Sequence, residues 1–119
     1  MDISMQEYLN DIAAICMKEL DDLDIHYGII DSYDINTRAK KRWGQTISKS
    51  KRHYSINISE RLLTGKTEFG LKDTIIHELL HTVYGSMDHG KRWQKNAKKV
   101  RERYGYPLKR TSSASDKGL

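Results

Sequence analysis

The segment His77-Glu78-Leu79-Leu80-His81 places two histidines four positions apart, with a glutamate directly after the first. On an α-helix, residues four apart lie on one face, one turn apart, so both imidazoles can bind a single tetrahedral metal ion. Glu78 is poorly placed to be a third ligand of this pair and well placed to take a proton from an attacking water molecule. The segment therefore predicts a zinc-dependent hydrolytic site with Glu78 as the general base.

The residues around this segment favour an amphipathic helix, because apolar side chains recur at helical spacing. These side chains are Leu71, Ile75, Ile76, Leu79, Leu80 and Val83. One face would be buried in the core, and the other would carry the two histidines. Gly85 stands where a left-handed residue would end the helix and turn the chain back towards the metal. Two residues then compete as the third ligand, His89 and Glu102. We prefer His89, which directly follows the turn, because Glu102 lies in a basic segment where it can pair with Lys98 or Lys99.

The length and composition indicate one globular domain, since 119 residues with 37% hydrophobic content can build one modest core. No apolar run approaches the roughly 18 residues that cross a membrane. The first residues also lack the basic start and apolar stretch of a signal peptide, so we expect a cytoplasmic monomer, with nucleoid association as an option. The single cysteine, Cys16, rules out an internal disulfide and a cysteine-based zinc ribbon within this chain. We expect Cys16 to be a buried structural thiol.

The charge is distributed unevenly along the chain. Residues 1–34 hold nine acidic residues and one basic residue, whereas residues 35–119 hold twenty basic and seven acidic residues. A basic surface near the predicted site favours a polyanionic partner, single- or double-stranded DNA above all, over a merely solvated face. The candidate DNA-contacting side chains lie in a turn and in the last helix: Lys49, Lys51, Arg52, Lys91, Arg92, Lys95, Lys98 and Lys99.

The periodicity predicts an α+β domain with an antiparallel three-stranded sheet packed on the metal-binding helix. Helices are expected over about 5–20 and 91–104, beside the histidine-bearing helix, with a short helix over 60–63 capped by Ser59. Alternating patterns predict strands at about 25–29, 37–47 and 54–58, the last two forming a hairpin. We expect residues 1–108 to form the domain and residues 109–119, which are small and polar, to form a flexible tail or linker.

Several segments together resemble the SprT-like, or Spartan-type, family of zinc metalloproteases over about residues 35–104. They are Asn36-Thr37-Arg38-Ala39 leading to Arg42-Trp43-Gly44, then Ile56-Asn57-Ile58-Ser59, the His77–His81 segment, and His89-Gly90-Lys91-Arg92-Trp93. The resemblance implies a compact zincin-like, minimal gluzincin-like fold. It also implies one zinc ion held by His77, His81 and His89, with Glu78 as the catalytic glutamate. The substrates it implies are proteins, in eukaryotic members those crosslinked to DNA, with nucleic acid stimulating cleavage.

The sequence allows more than one role for several residues near the predicted site. Asp88 either orients a ligand histidine or caps the last helix, and the oxyanion donor is to be sought among Tyr84, Tyr106 and Arg42. Two other functions also fit the sequence. One is a nucleic-acid-binding module with structural zinc and vestigial hydrolysis, and the other is a metallopeptidase that cleaves a regulator in phage or bacterial stress systems.

Overall fold

The computed structural model describes residues 3–38, 41–65, 67–110 and 117. Within them the chain forms an α+β domain with three long helices and one short helix, as predicted. The elements in chain order are α1 (Ile3–Asp22), β1 (Ile29–Asn36), β2 (Gly44–Ser50), β3 (His53–Ser59), α2 (Glu60–Thr64), α3 (Glu68–His81) and α4 (Lys91–Tyr104). The predicted tail, 109–119, lies outside the described residues except for residues 109, 110 and 117.

The three-stranded sheet has β3 at its centre and is mixed, so the prediction of an antiparallel sheet was wrong for one of the two strand pairs. β2 and β3 form the predicted antiparallel hairpin, in which Thr46 lies opposite Ile56. β1 pairs with the other side of β3 in parallel, with Tyr33 opposite Ile56. An alternating sequence pattern indicates a strand but not the direction of its neighbour, which depends on how the connection crosses the sheet.

The first strand also lies later in the chain than predicted. Ile25 and Tyr27 alternate with polar residues, yet β1 begins only at Ile29. Ile25 is a core residue of the connection, held by a backbone hydrogen bond from its N–H to the Leu20 carbonyl at 3.0 Å. Gly28 donates its N–H to the Thr82 hydroxyl at 2.8 Å, at the far end of α3. The alternation therefore reflects burial of single side chains on the core and not a ladder of strand pairing.

Helix α3 lies at the centre of the domain, since ten of its fourteen residues are buried. α1 covers one side through Leu9, Ile12, Ala13 and Cys16, and the sheet contributes Ile56 and Ile58. Cys16 is fully buried, as expected of a structural thiol, and burial raises its pKa above the usual range. Because packing surrounds α3 on most sides, the few polar side chains that it carries are held in fixed positions.

Candidate metal centre and cleft

The histidine-bearing helix begins and ends at identifiable caps. The Thr67 hydroxyl accepts the Gly70 N–H at the start, and Thr82 is the C-terminal cap after His81. The helix therefore ends before Gly85, which does not terminate it as predicted. Gly85 has a φ of +74° in the turn that follows, a conformation that glycine adopts without strain. This turn brings the chain back so that His89, just before α4, faces the helix.

The three histidines predicted as ligands converge on one point. Nε2 of His89 lies 3.0 Å from Nε2 of His77 and 3.2 Å from Nε2 of His81. Two nitrogens bound to one tetrahedral zinc ion lie about 3.3 Å apart, given Zn–N distances of about 2.0–2.1 Å. The cluster can therefore hold a metal ion. Glu102, the alternative third ligand, is exposed on α4 and lies 4.0 Å from the Lys98 amine.

Backbone groups form hydrogen bonds with two of the three histidine rings. Nδ1 of His81 lies 2.8 Å from the Ser86 carbonyl, so Nδ1–H donates there and the lone pair of Nε2 faces the cluster. Burial lowers the pKa of His77 to about 3, with the neighbouring His81 and His89 adding to the effect and a backbone hydrogen bond with Lys109 opposing it. Burial also lowers the pKa of His81 and His89. A lowered pKa favours the neutral imidazole, which is the form that binds metal.

Trp93 forms the floor beneath the cluster and is fully buried. Its ring packs edge-on against His77 and His89, with centroid distances of 4.9 and 4.8 Å, and stacks on His81 at 5.7 Å. Its Nε1–H donates to the His77 carbonyl at 3.3 Å. The sequence pattern placed Trp93 in the core of the last helix but did not reveal that it orients all three rings.

The Glu78 carboxylate lies beside the cluster, with Oε2 3.9 Å from Nε2 of His77. Its other oxygen, Oε1, accepts a hydrogen bond from the Thr46 hydroxyl at 2.8 Å. Burial raises the pKa of Glu78 to about 7, while the Thr46 bond and the charges of Lys117 and Arg42 act in the opposite direction. A carboxyl group with such a pKa exchanges a proton readily near neutral pH.

Strand β2 approaches α3 closely where it carries Thr46. A Cβ at Gly44 would lie 2.9 Å from Cγ2 of Thr74 and 3.2 Å from Cγ of Glu78, so only glycine fits without displacing a neighbour. Among the described strands, β2 pairs with β3 alone, so it forms an edge of the sheet next to Glu78. The sequence pattern predicted the hairpin but not that its outer strand borders the site.

The residues directly after α4 fold back onto α3. Asp73, one turn before His77, is fully buried and accepts the Leu108 N–H at 2.9 Å. Its second oxygen pairs with the Lys117 amine. This anchoring holds the Lys109 backbone against His77. Asp73 is thus a positioning residue that sequence reasoning missed; its only signal was a carboxylate within an apolar helical stripe.

The structure separates the three candidate oxyanion donors. The Tyr106 hydroxyl donates to Glu19 at 2.8 Å and is committed there, and Tyr84 is 73% exposed on the turn before His89. Arg42 alone of the three lines the cavity beside His77 and Glu78. Asp88 accepts the Gly90 N–H at 3.0 Å in the turn before α4. Gly90 is the N-cap residue of α4, and this helix start has no side-chain cap hydrogen bond. The Asp88 charge also opposes the effect of burial on the pKa of His81 and His89.

The basic residues predicted to contact DNA occupy two places. Lys91, Arg92, Lys95, Lys98 and Lys99 are exposed on α4, and Lys49 and Lys51 are exposed at the hairpin tip. Arg52 is half-buried, with a φ of 65°, and donates to the Thr82 carbonyl at 3.0 Å. Arg92 donates to the Tyr84 carbonyl at 3.3 Å. These two arginines therefore brace the turn between the ligand histidines in addition to carrying charge.

An α+β domain with a histidine cluster able to hold a metal ion, and a glutamate beside it, defines a metallohydrolase-type site. The SprT-like family model matches residues 25–112 of this chain, and the chain belongs to that family. Membership indicates a metallopeptidase-type domain. Searches of curated proteins and of solved structures found no significant match. No helix among the described residues is long and apolar enough to cross a membrane.

Proposed function

We propose that the chain is a zinc-dependent endopeptidase with a zincin-like fold, which acts as a monomer on DNA-associated or DNA-crosslinked proteins. The observation that carries this proposal is the convergence of three histidines on one point, with the Glu78 carboxylate 3.9 Å from one of them. Three imidazoles leave a fourth position of a tetrahedral zinc ion open, as hydrolytic sites require. His77, His81 and His89 would hold the ion.

When bound, zinc would supply Lewis-acid chemistry, polarising the scissile carbonyl and lowering the pKa of water. Glu78 takes a proton from the attacking water at Oε2 while the Thr46 hydroxyl holds Oε1 in place. Its raised pKa allows the carboxyl group to keep that proton briefly and then deliver it to the leaving amine nitrogen. Arg42, which lines the cavity, is the candidate donor to the developing oxyanion.

The position of β2 at the edge of the sheet supports cleavage of an extended polypeptide. An extended peptide can add to an exposed sheet edge through main-chain hydrogen bonds, which bind any sequence. Thr46 lies on β2 and also contacts Glu78, so a peptide along this edge would pass the carboxylate. This arrangement favours unfolded or flexible protein segments as substrates, because a segment buried inside a folded domain is not available to pair with this edge.

The basic surface supports the link to DNA. α4 begins two residues after His89, and its exposed lysines would keep a nucleic acid backbone close to the cleft. A protein bound to that DNA would then be presented at high local concentration. The alternative in which the protein cleaves a single regulator uses the same chemistry and differs only in the substrate. Measuring cleavage of a panel of substrates would separate that function from cleavage of DNA-associated proteins.

A nucleic-acid-binding module with structural zinc is the alternative that the site geometry disfavours. A structural zinc site has four protein ligands, whereas the cluster in the described residues offers three histidines. A purely structural site also has no need of a buried carboxylate with a raised pKa beside it.

The test combines metal content with proteolysis. The wild-type protein should hold one zinc ion by elemental analysis and cleave casein and a DNA-binding protein, faster with single-stranded DNA. Glu78→Gln should keep the zinc and lower kcat by about 10²–10⁴-fold, since the general base is lost and the ligands are not. Unchanged cleavage by this variant would contradict the role of Glu78 as general base. A fourth protein ligand of zinc in X-ray absorption spectra would favour the nucleic-acid-binding module with structural zinc.

A further inference from the structure

A cavity of about 210 Å³ opens beside the histidine cluster, and His77 and Glu78 form part of its wall. Pockets for drug-sized ligands have volumes of about 300–1,000 Å³, so this cavity suits a single amino-acid side chain. Glu78 is the only acidic residue among the described lining residues. The wall carries five basic residues: Lys41, Arg42, Lys109, Arg110 and Lys117.

Not all of these charges are available to a ligand. The Lys117 amine is already paired with the buried Asp73 carboxylate, so this amine is not free to bind a ligand. Lys41, Arg42 and Arg110 are exposed at the cavity and project their charge into the site. The cavity is therefore electropositive where a substrate side chain would enter.

The cavity also contains a hydroxyl group without a partner. Thr74, one turn before Glu78 on α3, is 2% exposed and lines the same space. Its Oγ1 has no hydrogen-bond partner among the described residues. Buried side-chain polar atoms are nearly always paired in folded proteins, so a donor left unpaired at a cavity wall is a candidate ligand-binding group.

These groups are separate from the basic surface assigned to DNA. None of the eight lysines and arginines predicted on α4 and the hairpin lines the cavity within the part of the chain that the structure describes. The cavity is also next to the residues that would cleave a peptide bond. Its charges are therefore placed to meet the substrate protein and not the nucleic acid that carries it.

We propose that this cavity selects substrates that present a carboxylate beside the scissile peptide bond. Lys41, Arg42 and Arg110 attract the carboxylate, and the Thr74 hydroxyl donates a hydrogen bond to it. The proposal rests on the proposed peptidase function and names its substrate class. The carboxylate comes from an aspartate or glutamate side chain or from the end of a substrate chain.

Matched peptides test the proposal on the zinc-loaded protein. Cleavage sites in casein are mapped by mass spectrometry, and peptides blocked at both ends are made with Glu, Gln or Lys at each position flanking the bond. At one flanking position, kcat/KM for the Glu peptide should exceed that for the Gln peptide about tenfold, with Lys slowest. If the Glu and Gln peptides were cleaved equally at every position, selection of a side-chain carboxylate would be overturned. The same peptides with a free C-terminus then test whether the cavity selects the carboxylate at the end of a substrate chain. Equal rates in both sets overturn the proposal.

Two variants connect the preference to the cavity. In Lys41→Gln/Arg110→Gln the Glu-to-Gln ratio should fall to about a half to a fifth of the wild-type value, since Arg42 and Thr74 remain. Thr74→Val should lower the ratio about twofold, since the Gln side chain can also accept a hydrogen bond from this hydroxyl. Lys18→Gln removes one positive charge from the exposed face of α1 and should keep the wild-type ratio. A ratio retained in the double variant would assign the preference to another part of the surface.

A binding measurement separates this proposal from the proposed function. Fluorescence anisotropy of labelled Glu and Gln peptides on zinc-loaded Glu78→Gln needs no turnover. If the wild type cleaves no protein but this variant binds the Glu peptide more tightly, the peptidase function fails and carboxylate selection stands. Equal binding of both peptides overturns the selection. Displacement of the Glu peptide by a short oligonucleotide, abolished in Lys41→Gln/Arg110→Gln, would assign the cavity to phosphates and also overturn it.

Discussion

The histidine cluster and the basic surface of α4 are adjacent in the chain but are specified in different ways. Each ligand ring is held by at least one contact: His81 by the Ser86 carbonyl, His77 by the Lys109 backbone, and all three by the Trp93 ring. The lysines of α4 are exposed, and the only ion pair recorded for the described ones joins Lys98 to Glu102 across a helical turn. The histidine cluster therefore has the fixed geometry that metal binding requires. The surface of α4 carries charge that acts over a longer distance and needs no fixed side-chain geometry.

The largest loss of zinc affinity should come from removing a metal-binding histidine. His89→Ala leaves two imidazoles, so we expect zinc affinity to fall more than about a hundredfold, beyond the loss typical of outer-shell partners. Competition with a chromophoric chelator measures this affinity. His26→Ala is the matched control, since His26 is exposed, pairs with Asp24 and lies outside the cluster. Full zinc stoichiometry and unchanged affinity in His89→Ala would remove this residue from the ligand set.

A smaller effect should follow from loss of the anchor behind the cluster. Asp73→Ala leaves the Leu108 N–H without its buried acceptor, which should lower the free energy of unfolding by about 1–3 kcal/mol. Because the Lys109 backbone then loses its support beside His77, zinc affinity should fall about tenfold. Urea denaturation and chelator competition measure the two quantities.

Two further variants distinguish positioning from general destabilisation. Asp73→Asn keeps an acceptor for Leu108 and should recover most of the zinc affinity. Asp11→Ala, on the exposed face of α1, should change neither quantity. If Asp73→Ala lowered stability but left zinc affinity intact, Asp73 would be structural only.

The smallest effects should be on the basic surface. Lys95→Gln and Lys99→Gln each remove one potential phosphate contact, so each should weaken DNA binding a few-fold and reduce the slope of log K against log salt by about one. Zinc content and cleavage of free peptides should stay unchanged. No measurable binding of the wild type to single- or double-stranded DNA at low salt would remove the DNA association altogether.

Much of the site could be predicted because it depends on local geometry. The spacing of His77 and His81 places them on one face of any helix. The short connection after the helix limits the positions that His89 can reach. The hairpin and the short helix after Ser59 also follow from local patterns, and the structure shows both. The parallel pairing of β1 was missed because it joins residues far apart in the chain, such as Tyr33 and Ile56, and leaves no local trace.

The sequence by itself determined the chemical set: two histidines on one helical face, a glutamate between them and a third histidine after a turn. Periodicity and spacing act over a few residues, and that range is enough for these elements. Only the tertiary structure decided what surrounds them: Thr46 on Glu78, Trp93 beneath the rings, Asp73 holding Leu108, and a cationic cavity at the site. These contacts join residues that are distant in the chain, and packing of the whole domain is what brings them together.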